Sequence, residues 1–485
     1  MACAALVSAL AVATPAWATS PGTLALPATG ASIDLPSASV ETAPVLSSRQ
    51  AKQLAAMLAD AQLHGLALAD LSPTLRPDAD NPQLIAAALS YARAVHSGQL
   101  ASSDYLREWG LRAAPYDPAP AFYRAVTQDE LKRWIASLPP PYAGYDRLRR
   151  ALARYRAIAA DGGWSQLSGG EDLVMGARGK RVIELRKRPH VEDPDTPVSG
   201  EVFDRPLLDA VRRAQRRYGL DPTGTVAGLT RAALNVPVKD RIGQIVANME
   251  RWRWLPEELP RARIQVNIAA AVLTVFDGDA PVMSMRAVTG RPGDETPMLQ
   301  SQIHSIVIDP PWNVPASIVT RELMPKEAAH PGYLKRNGFK VIQLADGGTR
   351  LQQAAGTQSA LGRYKFDFDN PYSVYLHDTP SQGTFARYSR LASHGCVRLE
   401  RPADLAELLL KADPRWSPDA IRAAVARNDT VRVRLPSPEA VYLLYWTAFA
   451  GEDGPVSFRP DPYGWDTALA AKIDARAGTQ QLTSR

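Results

Sequence analysis

The hydrophobic period changes once along this chain, and the change divides it in two. Up to about Trp254 apolar residues recur at helical spacing; from Ile264 onward they alternate with polar ones. In the first part, Ser48 is placed to cap a helix with Leu54, Met57, Leu58 and Ala61 on one face and a stop at Gly65. A second helix opens at Asn81-Pro82, carries Leu84, Ala88, Tyr91 and Val95, and ends at Gly98. Thr127 and Glu130 have the spacing of a capping box before Leu131, Trp134, Ile135 and Leu138, and a fourth helix spans residues 145–160. Beyond Gly162, residues 181–185 begin a short helix. Phe203-Asp204 open a clear one with Leu207, Leu208, Val211, Ala214 and Gln215 inward, and Thr230 is placed to cap residues 231–234. Residues 240–254 then read as a connecting helix.

The second part predicts strands at Ile264 to Ile268, 272–276, 301–308, 373–376, 397–399 and 431–435, with a tight turn at Asp277-Gly278. Helices interrupt at 402–411 and after Ser417-Pro418. Residues 310–371 form a long insertion with a helix near 318–324. An excursion of that length inside a β-domain predicts a lid, a passive surface loop being the alternative. The expected fold class is multidomain α+β. Its parts are a helical scaffold domain (47–160), a small three-helix domain (161–237), a connecting helix (238–261), a mostly-β domain (262–466, containing the lid 310–371) and a tail (467–485).

The chain's beginning bears on its chemistry. Residues 1–18 are apolar and close on Pro15-Ala16-Trp17-Ala18, the pattern of a cleavable signal peptide, and a Pro-, Ser- and Thr-rich linker follows at 19–46. An exported, periplasmic chain with no membrane span in its mature form is therefore expected, an uncleaved anchor being the alternative. Of the two cysteines, Cys3 falls inside that segment, so Cys396 has no partner with which to oxidise. The net charge of +6 is modest and its arginines are dispersed, so no nucleic-acid partner is implied.

Cys396 lies in Ser393-His394-Gly395-Cys396-Val-Arg398, downstream of Tyr375-Leu-His377-Asp378-Thr-Pro. A thiol attacks as its thiolate, and either histidine is a candidate to take the proton. Three ligands from His377, His394 and Cys396 could also hold zinc, but no Cys-x-x-Cys or His-Glu-x-x-His spacing accompanies them, so no metal or other cofactor is expected. Arg398, two residues beyond Cys396 on a strand, falls on the same face and can offer a fork to a carboxylate, a surface salt bridge being the plain alternative. His64 and His96 read as surface or helix-end residues.

These motifs resemble the YkuD-type catalytic domain of L,D-transpeptidases. Asp309-Pro-Pro-Trp312-Asn-Val-Pro315 and Tyr442-x-x-Tyr-Trp446 make the chain similar to the large YcbB-like subfamily. Residues 203–235 resemble a three-helix peptidoglycan-binding module. One departure is Leu399, where the family pattern carries Asn. The resemblance implies that Cys396 is the nucleophile, His377 the general base with the Asp378 carbonyl orienting it, and His394 a neighbour that shapes the pocket. It further implies an oxyanion hole of backbone N–H groups around Gly395 and Cys396, with Ser393 in support and Tyr375 and Trp312 lining the substrate pocket. The implied partners are peptidoglycan stem peptides, a tetrapeptide donor and a stem acceptor. A carboxypeptidase or D-amino-acid exchange enzyme at the same site, and an idle wall-binding protein, are the rival expectations; a papain-like protease has no matching signature around Cys396.

Overall fold

The computed structural model describes residues 44–66, 81–451 and 455–483, the span 477–483 by backbone only. The expected signal peptide, Cys3 and residues 19–43 of the expected linker lie outside the described residues.

Local chemistry sets the helix ends, in three places differently from expectation. Ser47, not Ser48, caps the helix Ser48–Ala59, because its hydroxyl accepts from Gln50 N–H while the Gln50 side chain accepts from Ser47 N–H. Thr127 starts no helix. It ends the helix Ala119–Thr127, donating its hydroxyl back to the Tyr123 carbonyl at 2.9 Å, and Asp129 at φ +58° turns the chain before Leu131–Ser137. Thr230 lies buried inside the helix Gly228–Asn235, where its hydroxyl accepts from the buried Gln215 at 3.0 Å. That amide also takes Gly224 N–H on its oxygen, so side-chain demand from the core outweighs the cap position.

Three apolar cores organise the helices and the β-domain. The first joins Leu54, Leu58, Tyr91, Phe122 and Trp134. The second gathers Leu185, Phe203, Val211 and Leu234 with Leu148, Leu152 and Tyr155 of the helix Ala143–Ala160 and with Phe458 from near the C-terminus. The third fills the β-domain and includes Trp109 and Trp254 from the helical part. A backbone bridge reinforces that last junction, Met298 N–H to the Glu108 carbonyl at 2.8 Å and Leu111 N–H to the Met298 carbonyl at 3.1 Å.

The β-domain contains β1 (Ala262–Asn267), β2 (Val272–Asp277), β3 (Ala280–Gly290), β4 (Leu299–Ile308), β5 (Trp312–Asn313), β6 (Phe339–Gln343), β7 (Thr349–Gln353), β8 (Tyr364–Phe368), β9 (Leu376–His377), β10 (Leu391–Ser393), β11 (Val397–Leu399) and β12 (Val431–Leu444). Nine of them make one sheet in the order β10-β3-β11-β9-β8-β4-β12-β1-β2, and a further β2–β3 pairing closes eight of these into a ring, with β10 added alongside β3. Closure leaves the eight ring strands without free edges. β12 continues well past Leu435. Its prolines at 436 and 438 sit where the register with β4 shifts between Arg434 and Glu439, and a bulge tolerates residues that cannot donate to the ladder.

Two expected boundaries are corrected. The insertion does not run to Pro371: Tyr364–Phe368 is a central strand, with Phe366 fully buried between β4 and β9. The excursion itself carries a small sheet, β5-β7-β6, and its own apolar cluster of Val314, Ile318, Leu323 and Leu351. The expected tail begins as a helix, Trp465–Thr483, which buries Trp465 and Leu469 in the β-domain core, and Asp466 pairs with Arg251 at 2.5 Å.

Candidate active site

Strand register brings the motif residues together. β11 runs parallel to β9 with Arg398 opposite His377, and β8 runs antiparallel to β9 with Lys365 opposite His377. Val397 N–H reaches the Tyr375 carbonyl at 3.1 Å, so Cys396 stands beside Tyr375. Residues opposite one another in a sheet share a face, and so do residues two apart. Lys365, Tyr375, His377, Cys396 and Arg398 therefore share one side of the wall, while Phe366, Leu376, Val397 and Leu399 fill the core on the other.

The turn that presents Cys396 is held from inside. Gly395 has φ +105°, a conformation that disfavours any side chain, and a Cβ there would stand 3.2 Å from the Glu295 carbonyl oxygen. Ser393 Oγ donates to the Cys396 carbonyl at 2.5 Å and accepts from Gly395 N–H at 3.2 Å. Buried Thr296 donates its hydroxyl to the Gly395 carbonyl at 2.8 Å and accepts Gly290 N–H, also at 2.8 Å. Tyr463 OH closes the ring by donating to the Gly290 carbonyl at 2.6 Å.

His377 is buried and neutral. Burial drives its pKa down to about 3, Arg398 and Lys365 add to the fall, and the backbone carbonyls of Asp378 and Leu361 oppose it. The Cys396 thiol is pushed up by burial, while the N–H and hydroxyl of Tyr375, then Lys365 and Arg398, favour its thiolate. Lys365 also lies 4.3 Å from the Tyr375 ring centre. At neutral pH the resting site thus holds a thiol and a neutral imidazole on one face of the wall. The Asp378 carboxylate is engaged elsewhere, accepting the N–H groups of Arg363 and Thr379 at 2.7 Å each. Burial dominates and raises the pKa of the Tyr375 hydroxyl, while Trp312 of β5 favours its ionised form, which places the insertion near the row.

His394 makes a different contact. Its Nε2 lies 2.6 Å from Glu322 Oε1, in the insertion. Far from this site, His64 is buried rather than on the surface: it bonds the Tyr145 hydroxyl at 2.9 Å, and burial with nearby Arg253 takes its pKa down to about 4. Among the described residues no group of three or more His, Cys, Asp and Glu is arranged to hold a metal ion, and no helix is long and apolar enough to cross a membrane.

Lys365, Thr296, Glu322 and Tyr463 escaped the sequence reading. Lys365 carried a signal, since Tyr364-Lys365-Phe366-Asp367-Phe368 alternates with period two, but the stretch lay within the expected insertion. The others had no local signal, because each meets the motif only through the fold.

Residues 261–425 match the YkuD family, the L,D-transpeptidase catalytic domain, and residues 42–152 match the Scaffold domain. The chain is similar to a putative L,D-transpeptidase of Haemophilus influenzae, 33% identical over 243 residues that cover 47% of this chain and 48% of the relative. It thus spans about half the length of the curated relative it matches. Among solved structures, an L,D-transpeptidase from Stackebrandtia nassauensis is 12% identical, with 57% of this chain and 96% of that one covered and a TM-score of 0.23. One from Xylanimonas cellulosilytica is 15% identical, covering 57% and 99%, with a TM-score of 0.18. The catalytic domain of an E. faecium L,D-transpeptidase acylated by ertapenem is 12% identical, covering 39% and 99%, with a TM-score of 0.20.

Proposed function

We propose that this chain, which carries an L,D-transpeptidase catalytic domain and a Scaffold domain, crosslinks peptidoglycan stem peptides through a thioester on Cys396. The observation that supports this most is the row itself: one thiol, one neutral imidazole and two cations on the same face of adjacent strands.

The step runs as an acyl transfer. His377 takes the Cys396 proton, and the thiolate attacks the carbonyl of the third residue of a tetrapeptide stem. The carbon–nitrogen bond to the terminal D-Ala breaks, His377 returns the proton to the leaving amine, and a thioester remains. The amine of a second stem then attacks that thioester and regenerates the thiol. His377, neutral at working pH, is ready to accept without first losing a proton; its Nδ1 is buried without a hydrogen-bond partner, and the neighbouring Asp378 carbonyl is the acceptor that would orient the ring. The Cys396 N–H serves the developing oxyanion; Gly395 N–H would first have to leave Ser393 Oγ. Tyr375 and Trp312 line the pocket. The insertion, placed near Tyr375 through Trp312, keeps water from the thioester so that an amine reaches it first. Export to the periplasm by the N-terminal segment, and wall binding by residues 161–237, belong to the same reading.

Intact mass after incubation with a carbapenem tests the nucleophile. One adduct is expected on the wild-type chain and none on Cys396→Ala; an adduct on both refutes the assignment. Products from tetrapeptide-bearing wall fragments then decide the acceptor: crosslinked dimers support transpeptidation, and tripeptide alone gives the site to carboxypeptidase chemistry.

A further inference from the structure

The insertion grips the catalytic turn with a carboxylate. Glu322 lies in a π-turn (Val319–Leu323), a widened coil often found at functional positions. Its Oε1 stands 2.6 Å from His394 Nε2 and 3.0 Å from Arg291 Nη2. Arg398 feels its charge, and the Arg398 Nε is buried without a hydrogen-bond partner. Arg291 is fixed at the turn by its own backbone, N–H to the Ser393 carbonyl at 3.0 Å. Asp294 is the competing anion, 2.8 Å from Arg291 and 3.0 Å from Arg321, a second ionic tether of the insertion.

This hold is polar, and the insertion's apolar cluster is separate from the core of the β-domain. Half-exposed ion pairs contribute little net stability, so a competing carboxylate can break them without unpacking either core. Two nitrogen-bearing side chains thus meet on one carboxylate that the chain itself supplies, and the unpartnered Arg398 lies within reach of its charge.

We propose that Arg291, His394 and Arg398 form a carboxylate-binding subsite, and that Glu322 occupies it until a carboxylate of the incoming stem peptide displaces it. The subsite rests on the peptide-transfer reading above. Displacement frees the insertion from the turn, so donor binding and release of the grip are one event, and Glu322 acts as an internal competitor that lowers apparent affinity.

Calorimetry on the full chain bearing Cys396→Ala measures this without turnover, using a tetrapeptide fragment with a free side-chain carboxylate on its third residue and the matching carboxamide. Glu322→Gln is expected to tighten the free-carboxylate peptide several-fold and to leave the carboxamide unchanged. Arg291→Gln should erase a preference of roughly tenfold for the carboxylate, the loss expected of one charge-assisted contact. Glu322→Asp keeps the charge but withdraws it by one methylene, and is expected to tighten the same peptide, which separates occupancy from folding. Unchanged or weaker binding in both Glu322 variants, or a preference that survives Arg291→Gln, overturns the subsite. The carbapenem adduct on the wild-type chain keeps the two readings apart: with no adduct the peptide-transfer reading fails, and with an adduct but no carboxylate preference only the subsite fails.

Discussion

Thr296→Val removes one hydroxyl and keeps the side chain's shape, and the structure says what that does to the catalytic turn. Thr296 is fully buried, and its oxygen serves two backbone groups, accepting Gly290 N–H and donating to the Gly395 carbonyl, each at 2.8 Å. Valine leaves both without a partner. The fold offers no easy replacement: a Cβ on Gly290 would lie 2.1 Å from the Asp294 carbonyl oxygen, a measure of how closely the two backbone segments pack. An orphaned buried group costs about 1–3 kcal/mol, so two should cost about 2–4 kcal/mol after partial relaxation. The expected results are a thermal midpoint several degrees lower and slower carbapenem acylation, since the Gly395 turn that presents Cys396 loses its inner support. Thr296→Ser keeps the hydroxyl and should recover most of both. Intact-mass acylation time courses beside melting curves supply the two readouts. A valine variant within half a degree of wild type that acylates at the wild-type rate would refute the reasoning.

Acid should destabilise the protein before its carboxylates titrate. His64 and His377 are held neutral when folded, with pKa values of about 4 and about 3, and protonate near 6.5 when unfolded. The unfolded chain therefore binds more protons between those values, and stability present above pH 6.5 is lost as pH falls, by at most about 3 kcal/mol for His64 at pH 4. Melting curves over this range should flatten in His64→Phe, and an unchanged slope would count against the assignment. Glu250→Ala should loosen the helical part from the β-domain. It strands Arg253, which lies 2.7 Å away in a pair with no exposed side-chain surface, at a cost of about 3–5 kcal/mol. Proteolysis between residues 98 and 109 should then accelerate, and equal cleavage rates would contradict it. His377→Ala should abolish carbapenem acylation at neutral pH, whereas His394→Ala should only slow it. The opposite order would reassign the base.

Helices were legible wherever a local signal coincided with burial. Pro418 following Ser417, and Asp204 before Arg205, announce helices that the structure starts at those points. Legibility ended where another partner took over a residue with good local credentials: Thr127 bonds back to the Tyr123 carbonyl of the helix it ends, and Thr230 is taken by Gln215. Strand β8 was missed because the prolines and glycines on either side suggested one continuous excursion. The row of chemistry was legible as residue types, since Ser-His-Gly-Cys and the upstream Tyr-x-His carry their meaning in spacing.

What the sequence determined by itself was the inventory: a nucleophile, two histidines, a switch from helical to alternating period, and an insertion ahead of the thiol. Those properties reside in neighbours along the chain, where propensity and patterning act. Which histidine faces which partner was decided by the tertiary structure alone. Parallel pairing of β9 with β11 sets His377 beside Arg398, and the insertion folds back to set Glu322 against His394. Such pairings join residues far apart in sequence, and their energies exist only once the ring has closed and excluded the water that would otherwise screen them.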